Sequence, residues 1–243
     1  KRQSTCPTVW TDIASDLQST FISDGACTDD ARAAIRAAFH DCFPGSCDGS
    51  LILANECTDR GENAQIVDIC STLGDKATSF NVSTADMIQF SAAVAIASCS
   101  GGPITSFYAG RTDSSTANPT GQLPGPNANA SALVSDFAAK GFSITELVAL
   151  AGAHTIGKQL DGSAMDSTVA NWDSGFYTEV ADNTAPDPLN SDRFLSNSSE
   201  TSGQWSSVGA SSTSFADAFV PAMEKMSLLG NDKASLTDCS SVV

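Results

Sequence analysis

The sequence predicts one mainly α-helical unit, and three observations carry that prediction. Apolar residues recur with the 3.6-residue period of a helix face through most of the chain. Alternating apolar–polar runs, the mark of half-buried strands, are scarce. Two serine-led capping boxes, Ser83-Thr84-Ala85-Asp86 and Ser143-Ile144-Thr145-Glu146, stand directly before apolar periodic segments.

Each helix has its own reason. The first is expected over residues 12–22. The second, rich in alanine, covers 29 to 39 or 40. A third follows Ser83 and presents Met87, Ile88, Phe90, Val94 and Ile96 on its faces. Residues 131–140 read as a short amphipathic helix closed by Gly141. The box at Ser143 opens a helix that carries Leu147 and Leu150 and delivers His154. A last helix over 215–229 stops at Gly230 and is bent by Pro221. Between them lie connectors rich in Gly, Pro, Ser and Asn, notably 118–126 and 196–214. No internal repeat and no long polar linker divides the chain, so residues 1–243 are read as a single domain.

Composition narrows the function. The chain is 41% hydrophobic over 243 residues, enough for one well-buried domain or two lobes sharing a core. A formal charge of -16 repels nucleic acid and anionic membranes, so neither is expected as a partner. No apolar run approaches the roughly 18–20 residues of a membrane span. Eight cysteines (Cys6, Cys27, Cys42, Cys47, Cys57, Cys70, Cys99, Cys239) form no CxxC pair. The even number favours four disulfides in an extracellular protein. A zinc site built on His40, Cys42 and Cys47 lacks a second ligand pair. The sequons at Asn81, Asn129 and Asn197 also fit secretion, whereas Asn118 is followed by Pro119 and does not count. The leading Lys1-Arg2 reads as the remnant of a dibasic processing site.

Only two histidines occur, His40 and His154, each inside a dense local constellation. Imidazole is suited both to proton transfer near neutral pH and to haem ligation. Arg36 and His40, four apart on a helix, share one face. A neutral imidazole there can take a proton from a peroxide oxygen and return it to the departing one. The guanidinium stabilises the charge that develops as the O–O bond breaks. Phe39 is expected to pack beside a haem there and to help keep the pocket dry. The rival reading, an ordinary surface helix, is weakened by the apolar alanine and phenylalanine background.

Arg36-x-x-Phe39-His40-Asp41-Cys42-Phe43, followed by Cys47-Asp48-Gly49-Ser50, resembles the distal signature of the plant, fungal and bacterial haem peroxidases. Leu147-Val148-Ala149-Leu150-Ala151-Gly152-Ala153-His154-Thr155-Ile156-Gly157-Lys158 resembles their haem-ligand motif. Gly110-Arg111-Thr112-Asp113, Leu123-Pro124-Gly125-Pro126 and Ser191-Asp192 extend the likeness over most of the chain. The resemblance is greatest to secreted fungal (class II) members, while a Cys42–Cys47 pair is similar to the plant secretory (class III) ones.

This resemblance implies an all-α, two-lobed fold with minimal β, a distal lobe near 1–125, a proximal lobe near 126–243 and one haem b between them. It implies His154 as the axial iron ligand, made more basic by Asp192. It implies Asn63, in Glu62-Asn63-Ala64, as the residue orienting His40; without the family, Asn63 reads equally as a turn asparagine. Met165 stands where relatives carry an aromatic ring near the proximal histidine. Two Ca²⁺ sites are implied as well, built from the hard oxygens this cation takes. The distal one draws on Asp41, Ser46, Asp48 and Ser50; the proximal one on Thr155, Asp166, Thr168, Asn171 and Asp173, with Ser167 alongside. Each set adjoins one of the two histidines, although alone either reads as solvated turn residues. Disulfide connectivity is open from the sequence. The resemblance gives Cys6–Cys239, Cys27–Cys99 and Cys42–Cys47, which leaves Cys57–Cys70.

The implied activity is reduction of H₂O₂ with one-electron oxidation of small phenols or aromatic amines at the haem edge, by a secreted monomer. An Mn²⁺-oxidising relative has acids at the positions of Asp29, Ala33 and Leu160, of which only the first is acidic here, with Asp161 one residue away. A lignin-oxidising relative has a surface tryptophan at the position of Ala149, and Trp10, Trp172 and Trp205 read as packing residues. Two rivals from other classes stay open: a non-catalytic bis-histidine haem carrier, and a haem-free, disulfide-bonded binding protein.

Overall fold

Helices dominate residues 5–243, which the computed structural model describes; the Lys1-Arg2 pair lies outside the described residues. The chain forms two compact units. The first comprises Lys1–Cys99, Ile104–Leu123 and Glu224–Val243; the second comprises Ser100–Pro103 and Pro124–Met223.

In the first unit, α1 (Val9–Phe21) leads into a hairpin of β1 (Ile22–Ser23) and β2 (Ala26–Cys27). Its two turn residues, Asp24 and Gly25, both have positive φ, as a two-residue hairpin loop requires. Then come α2 (Asp29–Cys42), α3 (Ser50–Leu53), α4 (Glu56–Asp59), a 3₁₀ turn (Gly61–Ile66), α5 (Val67–Phe80) and α6 (Thr84–Ser98). α6 is buried on every side from Thr84 to Ile96. Fully buried Ala31, Ala34, Ala37 and Ala38 let α2 pack closely against it. Thr28 caps α2 by accepting from Ala31 N–H.

The box expected at Ser83 is only half formed. Ser83 accepts from Asp86 N–H, but the Asp86 carboxylate does not return to Ser83. It accepts instead from Gly110 N–H, Arg111 N–H and the Arg111 guanidinium. A buried cation outcompetes a lone N–H for a carboxylate. The unpaired N–H groups at the helix start are satisfied from elsewhere: Asp113 accepts from Thr84 N–H and Ala85 N–H, each at 2.9 Å. Three members of the Gly110–Asp113 segment thus serve one helix terminus. β3 (Tyr108–Ala109) pairs antiparallel with β4 (Thr237–Asp238) beside them.

In the second unit, Asn129 caps α7 (Ala130–Ala139), and a complete Ser143–Glu146 box opens α8 (Ile144–Ala151). A 3₁₀ turn (Gly152–Ile156), α9 (Gly175–Ala181), α10 (Asn190–Asn197) and α11 (Ser202–Val208) follow. α11 corrects the expectation of a connector over 196–214: buried Trp205 and Val208, three apart, fold that stretch onto the unit. Short α3, α4, α9 and α10, and the longer α5, were also not foreseen from the pattern. α12 (Ser212–Ser227) continues through Pro221. Four disulfides, Cys6–Cys239, Cys27–Cys99, Cys42–Cys47 and Cys57–Cys70, use all eight cysteines.

Candidate active site

One turn of α2 separates Arg36 from His40, and the 3₁₀ turn after α4 brings Asn63 against the imidazole. Asn63 Oδ1 lies 2.6 Å from His40 Nδ1, and Asn63 Nδ2 donates to the Glu56 carbonyl at 2.8 Å. The second bond fixes the first. A carbonyl only accepts, so the Asn63 amide nitrogen faces Glu56 and its oxygen faces His40. That oxygen also only accepts, so His40 carries its proton on Nδ1. The lone pair is left on Nε2, ready to take a proton. Burial pushes the His40 pKa down to about 4, the Arg36 charge acts in the same direction, and the Asn63 bond opposes them.

Arg36 donates through Nη1 to Gln65 Oε1 and through Nη2 to the Glu62 carbonyl at 3.3 Å. Its Nε is buried without a partner among the described residues. Burial lowers the Arg36 pKa from its ordinary value. Phe39 stacks on Phe43 at 4.9 Å and meets His40 edge-on at 6.0 Å. Sequence reasoning missed Gln65 and Glu56. A signal for the second was present: Glu56 and Arg60 stand four apart, and they pair at 2.6 Å.

The second constellation is wholly within the other unit. His154 sits in the 3₁₀ turn after α8, not on the helix that was expected to deliver it. Its Nδ1 lies 2.9 Å from Asp192 Oδ1, while Asp192 Oδ2 accepts from Leu189 N–H at 3.0 Å. A carboxylate only accepts, so Nδ1 again carries a proton, and in the neutral ring Nε2 presents a lone pair suited to a metal ion. Asp192 is 1% exposed, and the His154 side chain 34%. The ring beside His154 is Phe176, edge-on at 6.1 Å, which the sequence pattern did not reveal. Buried Met165 packs instead against Gly157, where an added Cβ would come within 2.7 Å of its sulfur.

Gly152 makes room for the interior of the unit. A Cβ there would collide with the Tyr177 hydroxyl at 2.2 Å and with the Phe215 ring at 2.4 Å, so the glycine admits these buried rings. Tyr177 donates to the Val148 carbonyl, and Trp205 Nε1 donates to the Tyr177 carbonyl. These bonds brace α8, α9 and α11 around the turn that holds His154.

Both oxygen-rich loops adjoin a histidine. Asp41 is fully buried and accepts from Gly49 N–H and Leu51 N–H, while Asp48 accepts from Ser46 Oγ and Ser50 N–H. Ser50 Oγ is occupied by Asn118 Nδ2. Burial raises the Asp41 pKa to about 7, and the charges of Asp48 and Glu56 add to the rise. In the other loop, Thr155 Oγ1 donates to Asp166 and lies 3.4 Å from the Asn171 carbonyl. Thr168 Oγ1 bonds both Asp166 and Asp173. Ser167 turns away to Glu179. Among the described residues no three His, Cys, Asp or Glu side chains converge as a metal set.

A family model described as peroxidase matches residues 13–239. A peroxidase of Arthromyces ramosus is 31% identical over 97% of this chain and 75% of its own length. A versatile peroxidase of Pleurotus eryngii is 28% identical, covering 95% of this chain and 73% of its own. A low-redox potential peroxidase of Taiwanofungus camphoratus is 31% identical, covering 96% and 77%. With a family model that spans nearly all of the chain, and relatives aligned across most of their lengths, the protein belongs to the peroxidase family and is a haem peroxidase, an oxidoreductase acting on hydrogen peroxide.

Proposed function

We propose that Arg36, His40 and Asn63 handle the peroxide, and that His154, held by Asp192, is the axial ligand of one haem b. The observation that carries this reading is the pair of fixed tautomers, which leaves a lone pair on Nε2 of both histidines. The residues fit the cofactor. One imidazole is braced by a buried carboxylate, a common support for metal-ligating histidines, and the buried Arg36 Nε has no partner among the described residues. When bound, haem supplies the electrons that reduce hydrogen peroxide. His40 Nε2 receives a proton from one peroxide oxygen and delivers it to the other, so that water leaves. Arg36 stabilises the negative charge on the departing oxygen. Phe39 and Phe43 limit water around the base. Asn63 holds the His40 proton on Nδ1 throughout.

The reducing substrates are small phenols or aromatic amines, each giving one electron. Ala149 is fully buried, and Trp10, Trp172 and Trp205 are buried too, so none of these positions offers an exposed ring. Of the three positions acidic in Mn²⁺-oxidising relatives, only Asp29 has a carboxylate, and Arg32 pairs with it at 2.9 Å; Leu160 is 78% exposed. The protein is secreted and monomeric, with a distal lobe near 1–125 and a proximal lobe near 126–243. Four disulfides support the location. No helix among the described residues is long and apolar enough to cross a membrane.

Stopped-flow mixing with H₂O₂ tests the assignment through its pH dependence. The neutral form of His40 is the active one and is lost as pH falls through about 4. The bimolecular rate is therefore expected to stay flat from neutrality to about pH 5 and to drop about tenfold per unit below about 4. An acid limb near pH 6.5 instead would mean that a solvent-exposed histidine is the base. A low-spin six-coordinate resting spectrum would favour the bis-histidine carrier.

Two Ca²⁺ ions fill the loops beside His40 and His154. The first set is Asp41, Ser46, Asp48 and Ser50; the second is Thr155, Asp166, Thr168, Asn171 and Asp173. Burial raises the pKa of Asp166 and of Asp41 despite the hydrogen bonds each accepts, a condition that a cation relieves. With free Ca²⁺ at about 100 times the Kd of each site, chelation of both ions is expected to lower Tm by roughly 10–20 °C. A calorimetric trace unchanged by complete calcium removal would overturn the assignment.

A further inference from the structure

A groove of about 360 Å³ in the second unit is lined by Asn129, Ala130, Ser131, Phe194, Asn197 and Ser198. Five of these six belong to two N-x-S acceptor tripeptides, Asn129-Ala130-Ser131 and Asn197-Ser198-Ser199. The sixth is Phe194 of α10, a ring 45% exposed to solvent. A half-exposed ring in one groove with two acceptor asparagines offers an apolar face that a sugar attached there can cover.

Hydrogen bonds distinguish the two asparagines. Asn129 uses only its oxygen, which accepts from Ala132 N–H at 2.9 Å and caps α7; its Nδ2 donates to no group among the described residues. A sugar on Nδ2 leaves that oxygen untouched, so cap and glycan coexist. Asn197 Nδ2 donates to the Arg193 carbonyl at 2.9 Å and to Ser196 Oγ at 3.3 Å, and modification there would remove one of the two.

We propose that Asn129 carries an N-linked glycan whose first N-acetylglucosamine lies over the Phe194 ring. This rests on the secretory route proposed above. In the step, Asn129 Nδ2 loses one proton and bonds the anomeric carbon of the sugar. The bond from that carbon to a lipid pyrophosphate donor breaks, and the lipid pyrophosphate leaves. On the folded unit the C–H face of the sugar covers the ring and removes apolar surface from water.

The test uses holoenzyme secreted from a eukaryotic host behind a supplied leader, so a failure at Asn129 is separate from a failure of the native localisation. Peptide mass spectrometry is expected to find hexosamine on Asn129. An unmodified Asn129 overturns the proposal, whatever Asn81 and Asn197 carry. Packing is read by a second measurement. Ser131→Ala removes the acceptor signal but keeps the Asn129 cap, and Ser131→Thr keeps both. The Tm gap between these variants is expected to change by about 2–4 °C when Phe194→Ala is added. A gap indifferent to Phe194 overturns the contact between sugar and ring. Turnover of H₂O₂ is the control expected to stay constant.

Discussion

Replacing His40 by alanine is expected to slow the reaction with H₂O₂ by about 10²–10⁴-fold while haem stays bound, the range that a well-placed general base contributes. Arg36 cannot substitute, because a guanidinium keeps its protons near neutral pH. Asn63 cannot either, since its oxygen faces the site of the lost ring and its nitrogen faces Glu56. The variant leaves that oxygen buried without a donor, costing about 1–3 kcal/mol, so stability is measured alongside rate. The two effects separate by pH. Losing the base removes the acid limb near pH 4 from the residual rate, whereas simple destabilisation leaves it in place. Stability of the parent has its own pH sign. The folded His40 pKa lies below the ordinary 6.5, so stability is full above about 6.5 and is lost as pH falls through about 4. A near-normal rate for His40→Ala would place the base elsewhere.

How much of this was legible in the sequence depended on whether a feature was local. Helical spacing alone put Arg36 and His40 on one face, and α2 runs through both. The Ser143–Glu146 box was readable because both of its bonds close within four residues. At Ser83 the same signature was only half realised, because Asp86 had a partner 25 residues away in Arg111, and local pattern cannot weigh a distant cation. The helix over Ser202–Val208 was hidden for a similar reason. Its serine-rich sequence has weak helix propensity, and the burial of Trp205 against Tyr177 and Phe176 stabilises it. Phe176 was invisible as the ring beside His154, since nothing within 22 positions of sequence links them except the fold.

Asp192→Asn is expected to weaken haem binding by about 10–100-fold, and to harm it at least as much as Asp192→Ala, although asparagine is the closer mimic in shape. The reason lies in donors and acceptors. Two N–H groups converge on the Asp192 carboxylate, from Leu189 and from His154 Nδ1. A carboxylate accepts both; an amide has one oxygen and must set its NH₂ against one of them. The Leu189 N–H is fixed by the start of α10, so the amide oxygen stays with it. The NH₂ then faces His154 and is satisfied only if the ring moves its proton from Nδ1 to Nε2. That tautomer has no lone pair left for iron. In Asp192→Ala the vacated space admits water, which accepts from Nδ1–H and leaves the ligating tautomer intact. Haem titration of apoprotein, with imidazole tautomers read by nitrogen NMR, decides the matter. If Asp192→Asn bound haem like the parent while Asp192→Ala did not, the carboxylate would be acting on helix α10 alone, and the His154 tautomer would be set by some other group.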